Sequence, residues 1–173
     1  MGELSPFTWA LLMEFLLPGL IAVRALSYMS ATLSRWISAS VELGPSAATA
    51  FIYVLLASLM VGLMLGVIRW ATLDQLHSWT GIPRPSLDYS KLNDENVRTY
   101  RLVDSGFYRY YKFYGHSFVA LAILLTARII FVRLTCSTDW AIAILIGVAM
   151  LLLYFASRDS LKRTYCVLKK FLV

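Results

Sequence analysis

Charge is what this sequence has least of. Only 15% of its 173 residues are Asp, Glu, Lys or Arg, against about a quarter in an ordinary soluble domain. With 59% hydrophobic residues and a mean hydropathy of +0.67, that shortage points to a chain built for a bilayer. Long polar stretches are lacking as well. The longest, residues 69–115, is short for a core of its own, so no separate soluble domain is expected.

Cysteine and histidine are equally sparse, at two each. Cys136 and Cys166 flank the last apolar run on what should be opposite sides of the membrane, which excludes an internal disulfide by distance. Together with His77 and His116 they are too dispersed for a ligand-spaced motif, so neither a metal nor another cofactor is expected. No nucleophile–base pair, phosphate-cradling glycine loop or HExxH helix is present, so the reading is non-enzymatic. The N-terminus lacks a basic n-region and carries Glu3, which argues against a secretory signal. Pro6 occupies the position where myristoylation wants Ser or Thr.

What the chain has in abundance is apolar runs with an aromatic border. Residues 107–114 hold six aromatic rings and the cations Arg109 and Lys112, directly before an apolar run at 116–134. Rings with one apolar and one wettable end collect at the membrane–water boundary, and Lys and Arg there keep their charge among headgroups. Further runs at 7–29, 47–68 and 140–157 have about the length a crossing requires. The expected fold is therefore an all-α membrane protein with four transmembrane helices and a cytoplasmic helical layer from 69–115 and 158–173.

The first run is interrupted by Glu14, Pro18-Gly19 and Arg24, so a kink or break is expected near its middle. Leu33, Trp36, Ile37 and Val41 recur at helical spacing, which reads as an amphipathic helix at the opposite interface or an overlong extension of the first span. In the second run Ser58, Gly62 and Gly66 form a small-residue row. Such a row lets another backbone approach closely, either within the chain or between subunits. Trp70, Trp79 and the Gly81-Ile82-Pro83-Arg84-Pro85 turn suggest a short interfacial helix and a rigid loop. Asn93 could cap a helix from Asp94 through Arg98 and Arg101, bending near Gly106 and merging with the third span. The basic tail carries Leu161, Tyr165, Leu168 and Leu172 on one face. It should lie on the membrane or pack against that helix.

Four crossings place both termini and residues 69–115 on one side. Twelve of the sixteen basic residues fall there, and Arg35 and Arg133 on the other. The positive-inside rule then puts the termini in the cytoplasm, in a bacterial inner membrane. The net charge of +6 is explained in the same way, and nucleic acid is not an expected partner.

Glu14, Arg24 and Arg128 fall within the expected spans, where a charge costs about 2.5–3.5 kcal/mol and must find protein or water. A Glu14–Arg128 ion pair ordering the bundle is one reading, and a charged pore or cavity lining is another. Arg98, Arg101, Tyr108, Arg109, Tyr111, Lys112, Tyr114 and His116 are the candidate surface for anionic lipid headgroups or a docked protein. Arg109 and His116, with six residues between them, are also similar to the Arg–His pair of HEPN ribonucleases, which implies RNA cleavage. This copy has Tyr110 after the Arg and Gly115 before the His, at a membrane boundary. A His there that bonds a neighbouring helix is the other reading.

In span count and layout the chain resembles small four-pass membrane subunits of bacterial phage-defence systems, of the Kiwa type or accompanying RNA-guided nucleases. The intramembrane charges and small-residue row suggest an oligomer, and the expected function is a non-enzymatic membrane scaffold or anchor whose basic aromatic cytoplasmic layer docks a protein partner. A homo-oligomeric pore is the alternative, and a membrane-bound ribonuclease a remote one.

Overall fold

The computed structural model describes residues 12–42, 45–82, 97, 100, 104–132 and 137–172, which are helical with no strand among them. Helix α1 is Leu17–Leu26, entered through a π-helical turn at Leu12–Leu16. Helix α2 is Ala31–Val41 and α3 is Pro45–Trp79. Helix α4, Arg109–Ala127, sits between π turns at Asp104–Tyr108 and Arg128–Val132. Helix α5 is Ser137–Leu172.

Three helical stretches, Ser46–Trp79, Gly106–Val132 and Ser137–Lys169, are long and apolar enough to cross a bilayer. Where four crossings were expected, the first apolar run is divided. Residues 12–26 amount to about 22 Å of helix, short of the ~30 Å of hydrocarbon, and residues 7–11 lie outside the described residues. The irregularity falls just before Pro18, not after it. Pro18 has no N–H to return to the Glu14 carbonyl, and the turn preceding it is π-helical. Pro18 and Gly19 themselves continue smoothly into α1, and the chain turns only at 27–30.

Serine 30 then caps α2 by accepting from the Leu33 N–H. Leu33, Trp36 and Ile37 are half-buried and Arg35 exposed, so the expected amphipathic face is present, while Val41 stands exposed beyond it. Trp36 stacks on Tyr53, fixing α2 against the start of α3.

Helix α3 buries one continuous stripe from end to end: Ala50, Val54, Ser58, Gly62, Leu65, Arg69, Leu73 and His77. Spacings of four and three keep these on one side of a helix. The helix therefore runs on through Trp70 to Trp79, where a separate interfacial helix was expected. It ends at Thr80 and Gly81, whose φ of 89° only glycine adopts without strain. The expected helix from Asp94, with Arg98 and Arg101, lies outside the described residues apart from Val97 and Tyr100. Gly106 is within the π turn that leads into α4.

Small residues let α1 sit between α3 and α4. Pro18, Gly19, Ala22, Val23 and Ala25 are all buried. A Cβ on Gly19 would overlap the Ser58 carbonyl, and one on Gly62 the Phe15 carbonyl. Ala22, Leu65, Val119 and Ala120 form the apolar core of this contact. A second cluster, Ile82, Tyr111 and Leu161 with Tyr108 and Tyr165, joins the end of α3, the start of α4 and the outer part of α5. The tail is thus the continuation of α5, held against α4 by its apolar face.

Candidate functional site: a buried polar layer at one end of the bundle

The end where α3 stops and α4 begins gathers most of the buried polar side chains. Arg69 and Asp74, five residues apart on α3, pair at 3.1 Å with side chains about one-tenth exposed. The Tyr111 hydroxyl of α4 donates to the same Asp74 oxygen at 2.5 Å. The Arg69 guanidinium lies 4.8 Å from the Tyr111 ring centre. One carboxylate thereby holds a cation and a phenol, and the cation covers the phenol ring. Gly115 is required here, because a Cβ would fall 2.6 Å from the Arg69 stem.

One turn further along α3, His77 is fully buried, with Nε2 3.2 Å from Ser157 Oγ of α5 and its ring stacked on Tyr154. Arg158 reaches back and donates to the Thr80 carbonyl at 2.9 Å. That carbonyl ends α3, where a cation is favoured by the helix dipole.

Deeper in the bundle, His116 Nδ1 lies 2.7 Å from the Glu14 carbonyl oxygen. A carbonyl only accepts, so Nδ1 carries the proton. The Glu14 carboxylate is 3.8 Å from Lys112 Nζ, and Lys112 also lies over the Tyr108 ring. Gly66 faces the His116 ring, leaving it room.

The candidates named from sequence therefore separate into several places. Glu14 is buried beside Lys112 and His116. Arg128 donates to Asp139 at the start of α5 at 2.8 Å. Since Arg128 lies twelve residues beyond His116, it is about 18 Å away along α4. The Glu14–Arg128 pair considered from sequence is not formed. Arg24 is exposed, within 3.5 Å of Ser27 Oγ and over the Tyr28 ring. Ser58 and Gly62 receive α1 and Gly66 receives His116, so the small-residue row is occupied within the chain.

The aromatic border divides in the same way. Tyr111 and His116 turn inward, Tyr108 and Arg109 are half-buried, and Tyr114 stacks between Tyr110 and Phe113. Arg98 and Arg101 lie outside the described residues. Asp74, His77, Ser157, Arg158 and Asp139 were not singled out from sequence. A signal existed for His77: it continues the stripe of Ser58 and Gly62 at helical steps of four and three.

The comparisons add no relative. The chain matches no protein-family model, no curated protein and no solved structure. Its chemistry must be read from the layer itself. Carboxylate, phenol, imidazole and guanidinium groups there are engaged with one another, an arrangement that holds helices in register.

Proposed function

We propose that the chain is a non-enzymatic membrane scaffold, whose first apolar run makes a fourth crossing. In this reading the polar end faces the cytoplasm from a bacterial inner membrane, and the helical layer there docks a cytoplasmic protein. One observation carries the reading: the polar layer is closed on its membrane side. Below Glu14 and His116 the contact between α1, α3 and α4 is made by Ala22, Leu65, Val119 and Ala120. These four side chains are apolar and offer nothing with which to conduct water or ions. Glu14, Arg24 and Arg128, the candidate pore residues, occupy three different environments and share no lining within one copy.

The aromatic and basic residues at the polar end supply the docking layer. In layout this remains similar to the membrane subunits of phage-defence systems, which makes an antiviral effector one candidate partner. Native mass spectrometry of the tagged chain, extracted gently from its host, tests the reading. A soluble protein copurifying in fixed ratio is expected. A closed homo-oligomer without a partner, conducting ions in liposomes, would overturn it in favour of a pore.

A further inference from the structure

Among the described residues, one surface at the polar end carries no counter-charge. On α5, Arg158, Lys162 and Lys169 follow one another by four and seven residues. At ~100° per residue they fall within about 40° of a single line along the helix. Neither Lys162 nor Lys169 has an acidic partner among the described residues, and both are exposed. The acids nearby among the described residues are already engaged. Asp159 holds Arg163 at 2.8 Å, and Asp74 holds Arg69 and Tyr111. At the inner end of the stripe Arg158 keeps Nε buried and without a partner, and so does His77 at Nδ1.

The position of this stripe indicates what it meets. Trp140, 57% exposed, marks the opposite boundary at the start of α5. About 30 Å along the helix from there ends near Leu161. Arg158 then lies at the edge of the hydrocarbon and Lys162 among headgroups. Lys169 stands about 10 Å further out, with a stem long enough to reach back. Trp79, 82% exposed, stands on the adjoining end of α3, next to the Thr80 carbonyl that anchors Arg158.

Resting on the membrane reading above, we propose that the Arg158–Lys162–Lys169 stripe binds the phosphate of an anionic phospholipid headgroup. The exposed lysines supply the charge, and Arg158, anchored on the Thr80 carbonyl, fixes the inner end of the stripe. Basic sites between helix ends at headgroup depth are suited to such lipids.

The test uses the full chain, delipidated in detergent and titrated with phosphatidylglycerol or phosphatidylcholine under native mass spectrometry. The wild type should retain phosphatidylglycerol in preference by more than tenfold, given about fivefold per surface cation. Lys162→Gln with Lys169→Gln, both at exposed positions, should bring the preference close to one. Arg35→Gln at the other end should leave it unchanged. Equal retention of the two lipids, or an unaltered preference in the double variant, overturns the proposal. Displacement of the lipid by millimolar inorganic phosphate would make this a free-anion site, and preferential binding of polyglutamate an acidic-protein site. Either result also overturns it. The experiment contains no partner protein, so its failure is distinguishable from failure of the scaffold reading.

Discussion

His116 of α4 donates through Nδ1 to the carbonyl oxygen of Glu14, 102 residues earlier in the chain, at 2.7 Å. In an uninterrupted α-helix that carbonyl would accept from residue 18, which is Pro18 and has no N–H. The side chain of one helix thus occupies the place of a missing backbone donor in another. In a bilayer an unsatisfied carbonyl costs several kcal/mol, because no water is available to it.

A double-mutant cycle tests this substitution. His116→Ala should destabilise the fold by about 2–4 kcal/mol, from the lost hydrogen bond to the Glu14 carbonyl and the cavity together. Pro18→Ala restores an N–H at the required position. In that background His116→Ala should cost about 1–2 kcal/mol less. Thermal or denaturant unfolding in detergent measures the coupling, and additive costs would sink the idea.

The α1–α3 crossing should tolerate no side chain. Gly19→Ala and Gly62→Ala each place a methyl on a backbone carbonyl, which cannot move aside as a flexible side chain can. Each should cost about 3 kcal/mol or more. Gly147→Ala meets nothing within 4 Å and should be neutral or slightly stabilising. Melting temperatures of the three variants decide it.

Asp74→Asn leaves the Arg69 cation without its carboxylate in a site about one-tenth exposed. A cost of about 3 kcal/mol is expected. Adding Arg69→Met should recover most of it, because the uncompensated charge then disappears. A double variant as unstable as Asp74→Asn alone would show that the ion pair is not the source of the loss.

The native cysteines report topology. Cys166 is exposed on α5 at the polar end, and Cys136, outside the described residues, directly precedes α5 in sequence. With the polar end in the cytoplasm, a membrane-impermeant maleimide added to intact spheroplasts should label Cys136 and spare Cys166. Cys136→Ser should abolish that labelling. The reverse pattern would invert the orientation.

Much of this arrangement is legible in the amino-acid order. The apolar runs predict the three long helices, because a stretch without charge has no alternative partner to lipid or core. Leu33, Trp36 and Ile37 predict the face of α2. Less legible were the inner ends of the helices. Arg69 and His77 fall in the segment expected as a cytoplasmic layer, because, taken alone, a cation or imidazole belongs in water. Their burial depends on Asp74, Tyr111 and Ser157, of which the last two come from other helices.

The sequence by itself determined that the chain is helical, apolar and basic at one end, since length, hydropathy and charge are local properties. Only the tertiary structure decided the partners. Glu14 meets Lys112 and His116, while Arg128 meets Asp139. Those pairings follow from the depth at which α1 enters between α3 and α4. That depth is set by the backbone contacts at Gly19 and Gly62, and sequence spacing does not encode the axial register between helices far apart in the chain.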